Sequence, residues 1–126
     1  MAERRKIYPV DKIRAWHEAR RLTSLIYRTT ANFPASEERG MTAQLRRAST
    51  SIAANIAEGS RRETIKDFVH FLNIAEGSAA EVKTFLLLAR DQEYLTAMEA
   101  AEQVSLADQV CSMLYSLREH LQPVQP

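Results

Sequence analysis

Phe68-Val69-His70-Phe71-Leu72-Asn73-Ile74-Ala75-Glu76-Gly77-Ser78-Ala79-Ala80-Glu81-Val82 is the stretch that decides the fold. Phe68, Leu72, Ala75, Ala79 and Val82, continued by Leu86 and Ala89, recur at alternating steps of four and three. That spacing is one apolar seam along a long α-helix. A second face carries Asn73, Gly77, Ala80 and Thr84, all small or medium, and is expected to let another backbone approach closely. Inside the stretch, Asn73-Ile74-Ala75-Glu76-Gly77-Ser78 repeats Asn55-Ile56-Ala57-Glu58-Gly59-Ser60. Glycine costs about 1 kcal/mol against alanine within a helix. Gly59 and Gly77 are therefore each expected to cap a helix or to admit a close neighbour.

The rest of the chain is read outward from this helix. Thr64 with Asp67 three residues on has the spacing of a capping box and predicts the helix start. Upstream, Met41, Leu45, Ala48, Ile52 and Asn55 predict a helix from about Ser36, with Glu37 and Glu38 in its first turn and Gly59 as a left-handed cap. Asn55 falls on its apolar seam. A first helix is predicted over residues 11–32, capped by Asp11 and ended by Phe33-Pro34, with Ile13, Trp16, Ala19, Leu22, Ile26 and Phe33 buried. A fourth opens at Thr96 with Glu99 at the capping-box spacing and buries Val104, Ala107, Cys111, Leu114 and Leu121.

Four amphipathic helices joined by short turns predict an all-α fold, an antiparallel up-down-up-down four-helix bundle. The hairpin of helices 2 and 3 is expected to oppose positions summing to about 123. The flanks of the two hexapeptides differ, which argues against a tandem repeat. Residues 1–10, with Arg4-Arg5-Lys6, are read as a basic arm, 11–121 as the bundle and 122–126 as a disordered tail.

The chain of 126 residues suits one domain, and 45% hydrophobic with 26% charged residues is ordinary for a globular protein. Three glycines and four prolines favour long helices over many turns. No apolar run approaches the roughly 20 residues of a membrane span. The charged start lacks the apolar stretch of a secretory signal. Cys111 alone leaves no internal disulfide, which fits a cytoplasmic protein.

Charge is uneven along the chain. Residues 1–66 carry 14 Lys/Arg and 7 Asp/Glu, whereas residues 67–126 carry 3 and 9. Either solvated faces happen to segregate, or one half meets an anion or the other half of a second copy. Arg46, Arg47, Arg61, Arg62 and Lys66 are the candidate phosphate contacts, because the guanidinium fork pairs well with phosphate. Against that reading, no aromatic residue interleaves with these arginines along the chain, and the pI is about 7.9. The alternative pairs Arg46 and Arg47 with Glu58, Glu76 or Glu81, within the bundle or between subunits.

Catalytic patterns are weak. Asp67-x-x-His70 is half of a bundle di-metal motif, and its second half is missing around His17 and His120. Cys111 lies in an apolar stripe rather than beside a base. Nucleotide-binding and nucleophile-elbow glycine motifs are absent from the sequence. No catalytic residue, metal or cofactor is expected.

Ile13-Arg14-Ala15-Trp16-His17-Glu18-Ala19, Phe33-Pro34, Gln44-Leu45-Arg46-Arg47-Ala48 and Ser51-Ile52-Ala53-Ala54-Asn55-Ile56-Ala57-Glu58-Gly59 form one set of signals. With Phe68 to Glu81 and Tyr94-Leu95, they resemble the bacterial four-helix-bundle proteins encoded in intervening sequences of 23S rRNA genes. The resemblance spans about residues 10–120. It implies a bundle assembled into a ring, a homopentamer. It also suggests kinship with the accessory protein of diversity-generating retroelements, which binds nucleic acid and a reverse transcriptase. No catalytic residue comes with the resemblance, and the family's role is unsettled. Asn55, Glu58, Gly59, Asn73, Glu76 and Gly77 then become structural or interface candidates. Asn55 and Asn73 are expected to bond backbone or neighbours near Glu58 and Glu76, and Gly77→Leu to disrupt assembly. The expected function is a non-enzymatic ring-forming adaptor that binds RNA or DNA through a basic surface. The alternative is a protein-binding scaffold without a nucleic-acid role.

Overall fold

The computed structural model describes residues 8–122. The Arg4-Arg5-Lys6 arm and residues 123–126 lie outside them. The described residues form α1 (Arg14–Thr30), α2 (Met41–Ser60), α3 (Ile65–Asp91) and α4 (Ala97–Leu121), with short 3-10 turns at Val10–Lys12 and Ala35–Glu37. Each helix packs against its neighbour in the chain, and α1 closes against α4. The side-chain links run in opposite senses along each pair. Thr23 and Thr30 of α1 meet Ser49 and Arg46 of α2, and Glu76 and Lys83 of α3 meet Arg118 and Asp108 of α4. The bundle is antiparallel, as the sequence predicts.

The seam of α3 is the core. Phe68, Leu72, Ala75, Ala79, Val82, Leu86 and Ala89 are all buried, together with Leu22, Ile26, Leu45, Ile52, Ile56 and Leu114 from the other helices. Thr64 Oγ1 accepts the Asp67 backbone N–H at 3.1 Å and starts α3. Thr96 and Glu99 form the full capping box of α4. Gln103 is buried, and its Nε2 donates to Thr29 Oγ1 at 2.7 Å, tying α4 to α1.

Six details differ from the sequence reading. Asp11 does not cap α1. It lies in the first 3-10 turn, Ile13 is the capping position, and the Asp11 carbonyl instead accepts His17 Nε2–H at 2.8 Å. Helix α2 starts at Met41, not near Ser36. Glu37 caps it from outside: Oε1 accepts the Met41 N–H at 3.0 Å, and Oε2 accepts the Tyr94 hydroxyl at 2.8 Å. Gly40 permits this, because a Cβ there would sit 2.5 Å from Glu37 Oε1.

Gly59 is not a left-handed cap. Helix α2 continues through it to Ser60, and no described glycine has a positive φ. Its function is the other one considered, close approach, since a Cβ would stand 2.7 Å from Phe71 Cβ and 3.0 Å from Phe68 Cδ1. Ser51 Oγ and Ser78 Oγ share a 2.9 Å hydrogen bond on the same interface. These partners place opposed positions at sums of 127–130 rather than about 123. The register shifts because Gly59 lets α3 cross close to the end of α2.

Helix α4 is rotated from its predicted face. Ala100, Gln103, Leu106, Ala107, Val110 and Leu114 are buried, whereas Val104, Cys111 and Leu121 are only partly covered. Within α2, Ile56 rather than Asn55 completes the buried stripe.

The Glu37 clasp joins the α1–α2 and α3–α4 connections and carries a pH dependence. The Met41 N–H and then the Tyr94 hydroxyl hold its carboxyl below the usual glutamate range, and the same bond raises the Tyr94 phenol. A depressed carboxyl stabilises the fold above its unfolded pKa of about 4.3 and loses that contribution as pH falls through the lower folded value. Glu37→Gln should therefore melt below wild type at pH 7. Thermal melts repeated towards pH 3 should show that gap narrowing; a gap independent of pH contradicts the assignment.

Candidate nucleic-acid interface

The charge split along the chain becomes a split across the bundle. Helix α1 carries Arg14, Arg20, Arg21 and Arg28 against Glu18. Helix α2 adds Arg46 and Arg47 against Glu58. On the other side, α4 carries Glu99, Glu102, Asp108 and Glu119 against Arg118. Because α1 packs on α2 and α3 on α4, one layer is basic and the other acidic at its α4 face.

The five predicted basic residues do not form one site. Arg46 is partly buried at the α1–α2 contact. Its Nε donates to Thr30 Oγ1 at 2.9 Å, and its guanidinium lies 4.5 Å from the centre of the Tyr27 ring. It therefore does not pair with Glu58, Glu76 or Glu81. Arg47 and Arg61 are exposed. Arg62 is half-covered, ion-paired with Glu58 and stacked 4.8 Å over Phe71, with a buried Nε that has no hydrogen-bond partner. Its charge is already balanced by Glu58. Lys66 is exposed on the first turn of α3, away from the α1–α2 seam.

The structure adds residues that the sequence reading passed over. Arg20 of α1 is exposed, with its guanidinium 4.7 Å from the Trp16 ring centre. Arginine and aromatic side chains do interleave here, as Arg20 on Trp16 and Arg46 on Tyr27, which corrects the reading that none does. The first pair stands four residues apart and was visible at helical spacing. The second crosses between helices and needed the fold. Among the described residues, Arg20, Arg47 and Arg61 make no ion pair with an acidic side chain.

The interface candidates also separate. Glu76 receives both Arg118 Nε at 2.8 Å and Nη2 at 3.3 Å, a two-point bond that ties α3 to α4. Asn55 is partly buried, and its Nδ2 donates to the Ser51 carbonyl at 2.8 Å and to Ser51 Oγ at 2.9 Å. That is the expected backbone bond, though its partner is Ser51 rather than a neighbour of Glu76. Asn73 is exposed, so it needs no internal partner. A Cβ at Gly77 would meet nothing within 4 Å. The close approach expected at Gly77 is thus absent within the chain. Eleven residues on, and so almost in line with Gly77 on the outer face of α3, Leu88 is exposed over about two-fifths of its surface.

No set of three or more His, Cys, Asp or Glu among the described residues is placed to hold a metal ion. Burial first, then Glu76 and Asp108, push the Cys111 thiol up, keeping it neutral and poorly nucleophilic. An apolar groove of about 380 Å³ between the start of α1 and the end of α4, bordered by Ile13, Ala15, Met113 and Leu117, has no carboxylate, histidine or cysteine in its lining. No described helix is long and apolar enough to cross a membrane.

The family model for the 23S rRNA-intervening sequence protein matches residues 11–116, from the first 3-10 turn to near the end of α4. The chain belongs to the 23S rRNA-intervening sequence protein family. A solved structure of a protein with unknown function from the S23 ribosomal protein family of Bacteroides thetaiotaomicron has the same helical fold. It superposes with a TM-score of 0.75 at 27% identity, covering 83% of this chain and 98% of that one. No curated protein matches the chain. The family match spans both layers of the bundle, so the basic layer lies within the family domain rather than in an appended segment.

Proposed function

We propose that this protein is a non-enzymatic, ring-forming adaptor of the cytoplasm whose basic α1–α2 layer contacts the phosphates of RNA or DNA. The observation that carries the reading is the set of arginines on that layer, Arg20, Arg47 and Arg61, that no acidic side chain of the described residues neutralises. Unpaired arginines on one face produce a field that draws a polyanion and can release its counterions on contact. A ring, which the family resemblance implies as a pentamer, would multiply that surface around one axis and raise avidity without new contacts. The exposed Gly77 and Leu88 face of α3 suits the subunit contact, and it leaves the α1–α2 layer open. A protein such as a reverse transcriptase is a further partner on this reading.

Anisotropy of a labelled RNA hairpin with an open loop tests the proposal. Replacing Arg47 and Arg61 together with alanine should weaken binding roughly tenfold and flatten its salt dependence by about 0.7 per lost phosphate contact on a single strand. Arg62→Ala should change little, because Arg62 already serves Glu58. Equal binding by all three proteins would move the RNA contact away from Arg47 and Arg61, and absence of binding by the wild type would favour the protein-binding scaffold.

A further inference from the structure

We propose that the groove between α1 and α2 is a track for a single strand of nucleic acid, an inference that rests on the adaptor reading and adds the site and the form of the ligand. The groove holds about 280 Å³ and is lined by Arg20, Thr23, Ser24, Thr50 and Ala53. Its floor is made of short side chains, so a ligand reaches the seam of two helices without obstruction.

The polar groups of the groove are already oriented. Thr23 Oγ1 donates to the carbonyls of Ala19 and Ser49, and Thr50 Oγ1 donates to those of Arg46 and Arg47. Each hydroxyl proton faces the helix, so the oxygen turns its remaining capacity, as an acceptor, to the groove. Ser24 is exposed beside them. Sugar hydroxyls and base N–H groups complement such acceptors, and the cations beside them complement phosphate.

Arginine–aromatic stacks stand at both ends. Arg46 lies on Tyr27 at one end, where Tyr27 is 42% exposed, and Arg20 lies on Trp16 towards the other. A guanidinium held over a ring and the ring itself both offer π-faces to a base, and bases stack on such faces irrespective of sequence. Arg20 and Tyr27 are seven residues apart, about 10 Å along the helix. A stacked strand advances about 3.4 Å per nucleotide, so roughly three nucleotides fit between the stacks. Ala57 and Arg61 follow Ala53 at helical steps of four, which extends the track towards the α2–α3 turn with one more cation.

The same features disfavour a duplex. The major groove of B-DNA, about 12 Å wide, is read by a helix or ribbon that projects into it. Here α1 and α2 bound a shallow groove, and Arg20 and Arg46 beside it lie over rings. The geometry offers a channel to one backbone rather than a probe for two.

The test is anisotropy of the full chain with a labelled 12-nucleotide pyrimidine RNA and with the same strand in a duplex. Wild type should bind the single strand about tenfold or more tightly than the duplex. Thr50→Glu and Arg20→Glu should each weaken single-strand binding by about tenfold or more, while Lys83→Glu on the α3–α4 layer should not. Thr50 and Arg20 are exposed, so the variants should fold, and helical circular dichroism of each checks it. If the strand binds wild type, Thr50→Glu and Arg20→Glu alike, the groove is not the site, while the adaptor reading stands. Tighter duplex binding likewise overturns the single-strand track. If wild type binds no RNA or DNA of either form, the adaptor reading and the track fall together.

Discussion

Gly59→Leu should destabilise the bundle strongly, lowering its melting temperature by roughly 10 °C or more. In an ordinary helix interior the change would help, because leucine is a better helix former than glycine by nearly 1 kcal/mol. At this position the added Cβ alone would lie 2.7 Å from Phe71 Cβ, 3.0 Å from Phe68 Cδ1 and 3.3 Å from the Phe68 carbonyl oxygen. Two of those atoms cannot swing away, since one is bonded to the backbone and one belongs to it. Phe68 is fully buried at the centre of the core, so it cannot retreat either. Overpacking of this kind costs about 1–3 kcal/mol and sometimes more, which exceeds the helix gain. Gly59→Ala should show a smaller loss of the same sign. A melting temperature equal to or above wild type for either variant would mean that α2 and α3 do not approach there.

Gly77→Leu should have the opposite signature, even though Gly77 occupies the same place in the repeated hexapeptide. Its Cβ position is open to beyond 4 Å, so the chain can accept leucine and gain helix propensity. On the ring reading the outer face of α3 meets the next subunit, and a leucine would hold the two surfaces apart. The expected result is unchanged helical content with a solution mass falling towards the 14.3 kDa of one chain. Sedimentation equilibrium reads it directly. A mass equal to wild type removes Gly77 from the subunit contact.

This contrast marks the limit of what could be read from the residues. Both glycines sit in identical hexapeptides, and sequence spacing treats them alike. Only the register of α3 on α2 separates them, and that register depends on the close approach itself. The seam from Phe68 to Ala89 was legible because Phe68, Leu72, Val82 and Leu86, with three alanines, keep an unbroken four-three spacing over 22 residues. Helix α4 was not legible in phase, because alanines and Gln103 fill its core positions while Val104 and Cys111 lie beside them. Residue size decides that face, and hydropathy barely distinguishes it. The thresholds at Thr64 and Thr96 were legible because a side-chain oxygen bonds an amide three residues on. Glu37 was misplaced because its cap crosses a turn and is held by Tyr94, far along the chain.

The candidate site shows the same division. The excess of arginine before residue 67 is visible in the chain, and the layer it builds follows once α1 is paired with α2. Whether a given arginine is available was hidden. Arg61 and Arg62 are adjacent, yet Arg62 bonds Glu58 and stacks on Phe71 whereas Arg61 remains exposed. Arg46, which the chain offers as a phosphate contact or a partner of Glu58, Glu76 or Glu81, is a strut between Thr30 and Tyr27.

The central claim is that the basic layer binds nucleic-acid phosphate, and the salt dependence of RNA binding by the wild-type protein tests it most directly. Affinity measured between about 50 and 200 mM salt should fall steeply, with a log–log slope of about −0.7 for each phosphate neutralised on a single strand. Engagement of Arg20, Arg47 and Arg61 by one chain therefore predicts a slope near −2, steeper if several subunits share one RNA. Absence of binding at the low-salt end, or an affinity indifferent to salt, would contradict the account.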